Sequence, residues 1–261
     1  MKMTFQAVKR KEAAIMVKKM YTVTGLPVEA EYSDREVDEL FLPLLDKLNH
    51  LRKEKGERLI VFLSAPPGSG KTTLSLFLED LFKELQSDYT LQSVSMDGFH
   101  RPNSYLDRHT ITRNHKNQPL RQYKGVPESF DAEKLIERIR ALSSQEKVQW
   151  PTYDRLLHDV SDKTEQIEAD IVLVEGNYLL LDCPVWRELK NLSDYTIAIT
   201  TRMNELVKRL VERKQKGGTT QKEAEQHVER TDKPNAELVL NHSQPADQTF
   251  ILRNGQFEML I

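Results

Sequence analysis

Ser64-Ala-Pro-Pro-Gly-Ser-Gly-Lys-Thr-Thr73 sets glycines, a lysine and hydroxyl side chains in the spacing G-x-x-x-x-G-K-[ST], with Ala65 in place of the first glycine. Glycines let backbone N–H groups wrap a β-phosphate, and a helix starting at the lysine adds a favourable dipole. Pro67, Gly68, Ser69, Gly70, Lys71, Thr72 and Thr73 are therefore expected to enclose the phosphates of a nucleotide. Lys71 should neutralise the β- and γ-phosphates, and the Thr72 hydroxyl should coordinate Mg²⁺. Ala65 needs a negative φ, which suits a strand end.

Two carboxylates end apolar runs. Asp97, in Met96-Asp-Gly-Phe-His100, can take the proton of an attacking hydroxyl, although Asp-Gly is also a common turn pair. Glu175, closing Ile171-Val-Leu-Val-Glu, is where a second Mg²⁺-ordering acid is expected; a merely solvated strand end is the bland alternative. His100, Asn177 and Tyr178 are substrate-contact candidates, with Tyr178 packing on Leu179–Leu181 as its other reading. Arg155 in Pro151-Thr-Tyr-Asp-Arg155 is either a clamp for substrate or phosphate or half of a structural pair with Asp154.

Arg209 and Arg213 lie four apart, on one helical face, before Gly217-Gly218 and the capping-box pattern Thr220-Gln-Lys-Glu223. A helix–hinge–helix lid over about 203–232 would let both contact ATP, with Arg209 stabilising the transferring phosphoryl group. Pairing with Glu205 and Glu212 on a solvated face is the alternative. Residues 98–130 hold Arg101, Arg108, Arg113, Lys116, Arg121 and Lys124 against Asp107 and Glu128, a net +4 that suits either an anionic acceptor or closure over ATP. The histidines there show no metal-ligand spacing.

The elements that must position these groups follow from periodicity. Leu59–Ala65 is a continuous apolar run of strand length, buried on both faces. Leu74, Phe77, Leu78, Leu81, Phe82 and Leu85 then repeat at helical spacing. Thr90–Met96, Ile171–Val174, Tyr195–Ile199 and Gln248–Leu252 read as further strands, and Leu135, Ile139 and Leu142 mark another helix. The alternation predicts an α/β three-layer sandwich around a mostly parallel sheet, with its chemistry at the carboxyl ends of the strands. Upstream, Ser33-Asp-Arg-Glu36 opens a helix with the stripe Val37, Leu40, Phe41, Leu44, Leu48 and Leu51. Residues 1–57 thus read as an N-terminal helical extension and 58–261 as the main domain. The stripe either caps the sheet or forms a homodimer interface.

The 261 residues carry 38 Lys+Arg and 40 Asp+Glu, a formal charge of −2, which excludes a general nucleic-acid binder. No apolar run approaches the roughly 20 residues that span a bilayer. The first twenty residues are basic but lack an apolar signal core, and the single Cys183 cannot form an internal disulfide, so a reducing cytoplasm is expected.

In order, SAPPGSGKTT, MDGFH, KGVPESFD, PTYDR, VEGNYLLLD, RLVERKQKGG and DKPNAELV resemble the phosphoribulokinase/uridine kinase/type I pantothenate kinase family, most nearly its bacterial YggC-like branch, from about Leu59 to the C-terminus. The resemblance implies a P-loop kinase fold with a five-stranded parallel core and ATP as donor. It also implies Asp97 as base, Thr72 and Glu175 on Mg²⁺, and phosphate contacts from Arg209 and Arg213. Acceptors left open are a sugar, a nucleoside and a pantothenate-like acid. The competing class is a nucleotide-dependent regulator or ATPase without a small-molecule acceptor; no N-K-x-D guanine signature is present.

Overall fold

The computed structural model describes residues 16–23, 26–113, 115–154 and 157–260. Strands β1 (Met16–Val23) and β2 (Leu26–Ser33) form an antiparallel hairpin. Ser33 then caps helix α1 (34–55) through the expected box: its hydroxyl accepts from the Glu36 amide at 3.2 Å, and the Glu36 carboxylate accepts from the Ser33 amide at 2.9 Å. Gly56, at φ +75°, ends the helix in the left-handed conformation. The order continues through β3 (Leu59–Ser64), α2 (Lys71–Glu84), β4 (Leu91–Ser95), β5 (Thr110–Arg113), β6 (Lys116–Pro119), α3 (Ala132–Ser144), β7 (Val148–Asp154), β8 (Asp159–Ile167) and β9 (Ile171–Gly176). It closes with β10 (Tyr195–Thr201), α4 (Met203–Lys216), α5 (Gln221–His227), α6 (Lys233–His242), β11 (Gln248–Arg253) and β12 (Gln256–Met259).

The main sheet runs β12-β11-β10-β3-β9-β4. Its five strands from β11 to β4 are mutually parallel, and β12 adds an antiparallel sixth at the edge. β3 sits between β9 and β10, so the loop leaving it opens at the point where strand order reverses, the usual ligand crevice of such sheets. Every residue of β3 and β9 is buried. Alternation divides them: Leu59, Val61 and Leu63 join a core with α1 and α2, while Ile60 and Phe62 join Val172, Val174, Trp150 and α3 on the other face.

The N-terminal extension departs from the helical expectation over 16–33, where the chain is a hairpin. Tyr21 donates its hydroxyl to Asp80 at 2.9 Å and Lys19 to Glu84 at 2.8 Å, laying the ribbon along α2. The α1 stripe is spent inside the chain: Phe41, Leu44, Leu45 and Leu48 are buried with Phe77 and Phe250 against the sheet. Glu36, 3% exposed, ties the two ends of the chain together, because its Oε1 also accepts the Phe257 amide of the edge strand at 2.8 Å. Among the described residues no helix is long and apolar enough to cross a membrane.

Candidate active site

The phosphate loop hangs from the centre of the sheet. The buried Ala65 donates its amide to the Gly176 carbonyl at 3.1 Å, holding the loop's start against the end of β9, and it keeps a negative φ. Gly68 and Gly70 take φ of +84° and +86°, conformations that other residues adopt only with strain. α2 begins at Lys71, which points the amides of its first turn at the loop's concavity.

α4 rests directly on this loop. A Cβ on Gly68 would lie 2.9 Å from Leu210 Cγ, and one on Gly70 would lie 3.1 Å from Arg209 Nη2. Arg209 Nε donates to the Gly68 carbonyl at 2.8 Å. Glu205 is not its partner, being engaged by the Gly255 amide at 3.1 Å. The helix–hinge–helix element is present, with the Thr220–Glu223 capping box formed. Arg213 lies one turn beyond Arg209 on α4. Burial lowers the pKa of His227 on α5, and Lys214, Arg230 and Arg213 add to that effect.

The acids converge at the carboxyl edge. Glu175 pairs in register with Leu63 of β3 and Ser95 of β4. Thr72 donates its hydroxyl to Glu175 Oε1 at 3.0 Å, and Oε2, buried, has no hydrogen-bond partner among the described residues. Burial pushes the Glu175 carboxyl above its usual range; the Lys71 ammonium opposes this and the Asp97 carboxylate adds to it. Lys71, Thr72, Glu175 and Asp97 therefore form one electrostatic site. The buried Ser69 hydroxyl and Asn177 Oδ1 also lack partners among the described residues.

Asp97 sits two residues past β4 on a turn fixed from several sides. Its amide donates to Ser95 Oγ at 3.2 Å, and its carbonyl accepts from the His100 amide at 3.1 Å. Trp150 Nε1 donates to the Ser95 carbonyl at 2.8 Å. Gly98 is pressed against Pro151 of β7. Sequence reading missed the part of Trp150 and Pro151; their adjacency to the Pro151–Arg155 run was the available signal. The His100 ring packs at a tilt against Phe130 (3.8 Å between centroids, 37° between planes) and neighbours Tyr153 (4.9 Å).

Tyr178 is corrected as a substrate contact. It is fully buried between Phe130 and Trp186, and its hydroxyl donates to the Gly125 carbonyl at 2.5 Å. Its second reading, as a packing residue, holds, with the added duty of anchoring the 125 loop. Arg155 lies outside the described residues.

Mg²⁺ prefers hard oxygens and commonly takes one or two from protein, the rest from phosphates and water. The Thr72 hydroxyl and the buried Glu175 carboxylate, with one oxygen unpartnered, fit that demand. Among the described residues no cluster of three or more His, Cys, Asp or Glu offers a competing metal cage.

The chain is similar to known proteins. A family model described as "Phosphoribulokinase / Uridine kinase family" matches residues 60–250. The "Uncharacterized protein YggC" of Escherichia coli K12 is 41% identical over 227 residues, 87% of this chain and 92% of its own length. A "Putative uridine kinase" of Schizosaccharomyces pombe is 28% identical over 200 residues, 75% of this chain and 80% of its own. The crystal structure of a "putative fructose transport system kinase" from Silicibacter sp. TM1040 superposes with TM-score 0.69 at 32% identity, covering 78% of this chain and 98% of that one. With a phosphate loop at the sheet's switch point, and with the matched residues spanning the parallel core, the chain belongs to the phosphoribulokinase/uridine kinase family of P-loop kinases.

Proposed function

We propose that the protein is an ATP- and Mg²⁺-dependent kinase that transfers the γ-phosphoryl group to a hydroxyl of a small molecule. The observation that carries this reading is the Thr72–Glu175 contact at the head of the phosphate loop, with Asp97 acting on the same buried carboxylate. Thr72 and Glu175 would hold Mg²⁺, which would supply charge neutralisation to the phosphates. Lys71 and the α2 amides hold the phosphates, and Arg209, donating to the Gly68 carbonyl, lies against the loop that encloses them. Asp97 accepts the acceptor's hydroxyl proton as the new O–P bond forms and the bond to the leaving ADP breaks. The names of relatives support a small-molecule acceptor, uridine kinase and pantothenate kinase among them. A sugar, a nucleoside and a pantothenate-like acid are the candidates.

The test is a metabolite screen for ATP-dependent gain of one phosphate, run with wild type and Asp97→Asn. Asp97→Asn is expected to keep nucleotide affinity while turnover falls roughly 10²–10⁴-fold. Unchanged turnover would remove Asp97 from the base role. ATP hydrolysis stimulated by a protein partner, with no metabolite phosphorylated, would favour the regulator class instead.

A further inference from the structure

With the α1 stripe spent inside the chain, the apolar surface left open lies on α4. A groove of about 950 Å³ runs along this helix and past the end of α5. Its α4 wall uses none of the residues, Leu206, Arg209 and Leu210, that meet the phosphate loop. Met203, Val207 and Val211 recur every four residues along it, half-buried on the fully buried Leu206, Leu210, Val228 and Ala236 beneath them. A row at that spacing is a ridge, and two such ridges interdigitate when helices cross at about −50°.

The chemistry of the groove suits a protein surface rather than a metabolite. Small-molecule sites aim a few placed polar groups inward. Here the charged side chains Lys208, Glu212, Glu225 and Glu229 are all exposed around an apolar middle, the division of core and rim found in protein interfaces. The rim also says which protein. Glu229 is matched within the chain by Lys233 at 2.5 Å. Lys208 and Glu212, although four residues apart on one helix, form no ion pair with each other or with any described residue. A partner of one sign would satisfy one of them and repel the other. A second copy of the same surface, turned by a two-fold axis, offers each its opposite, because in such a contact every pairing occurs twice.

We propose that the α4 groove seats a second copy of this chain, the two α4 helices passing antiparallel about a two-fold axis level with the midpoint of Val207 and Val211. Val207 of each copy then lies on Val211 of the other, and Lys208 of each comes within side-chain reach of the other's Glu212. α4 is thereby held between its own phosphate loop and the second copy. The contact stands apart from the kinase reading and is measured without substrate. Sedimentation velocity of the full chain from about 0.1 to 100 µM should show a monomer–dimer equilibrium with a Kd of about 10 µM or tighter. Val207→Glu, which sets a charge in the apolar middle, should weaken it roughly 10–100-fold at unchanged melting temperature. Lys208→Glu and Glu212→Lys, both at exposed positions, should each weaken it roughly tenfold by facing like charges across the axis. Mixed one to one, these two variants should associate about as tightly as wild type, since each then meets its opposite twice. A chain that stays monomeric to about 100 µM overturns the proposal and leaves the groove to a partner of another sequence. A dimer indifferent to Val207→Glu places the contact elsewhere, and a mixture no tighter than its components removes the two-fold pairing; either result overturns it as well.

Discussion

Gly98→Ala isolates the positioning of Asp97 from its chemistry. Gly98 does not take a positive φ, so its backbone conformation is open to alanine. What excludes a side chain is proximity: a Cβ there would lie 1.9 Å from the Pro151 carbonyl oxygen, 2.4 Å from its carbon and 2.9 Å from the Thr152 amide nitrogen. These are backbone atoms of β7, which is itself held by the buried Trp150, so no flexible side chain can yield. Restoring an ordinary 3.4 Å contact from 1.9 Å requires the Asp97 turn and β7 to part by about 1.5 Å. A shift of about 1 Å at a catalytic group costs roughly 10²-fold in rate. Overpacking of this kind costs about 3 kcal/mol. For a chain of this size that lowers Tm by roughly 6–12 °C. ADP release, fluorescent-nucleotide titration and calorimetry read the three quantities: turnover should fall at least about 100-fold with nucleotide affinity nearly unchanged. Gly56→Ala is the control, since Gly56 has φ +75° with nothing within 4 Å of a Cβ; it should cost about 1–2 kcal/mol of stability and no turnover. A Gly98→Ala protein with normal turnover, or one that behaves like Gly56→Ala, refutes the close-approach argument.

Two further expectations concern stability. Glu36→Gln removes a buried carboxylate that accepts from Ser33 and from the Phe257 amide, so the urea midpoint should drop by the equivalent of about 2–3 kcal/mol and amide exchange at Phe257 should accelerate; an unchanged midpoint counts against the tie between chain ends. His227 is held below its ordinary value of 6.5 by burial and by Lys214, with Asp232 opposing. The unfolded chain therefore takes up the proton more readily, so this contribution to stability is complete above pH 6.5 and declines as pH falls through it. Wild type should lose more Tm between pH 8 and pH 5.5 than His227→Gln does; equal losses contradict the assignment.

The parallel core was readable in the sequence because a strand buried on both faces must be apolar along its length, as Leu59–Leu63 and Ile171–Val174 are, and because helical stripes such as Leu74–Phe82 have a period of their own. The 16–33 hairpin was half legible. The inward positions of β1, Val17, Lys19, Tyr21 and Val23, mix apolar and charged residues that reach α2 through polar tips. β2, in contrast, turns Val28, Ala30 and Tyr32 inward between the exposed Glu29 and Glu31, a strand alternation the sequence does carry. At the site, the sequence placed Thr72, Asp97 and Glu175 because each follows a strand or loop whose direction is set by the sheet. Tyr178 went astray for the complementary reason: adjacency to Glu175 says where the backbone passes, while rotation along the exit of β9 turned the ring into the core. The segment 98–130 carries no period at all, and its charges are settled by partners far along the chain, as when Lys124 finds the His158 carbonyl 34 residues away. Arg101 meets Asp131 and Arg113 meets Glu128 in the same way, so the net +4 of that segment says less about a ligand than the pairing of each cation does.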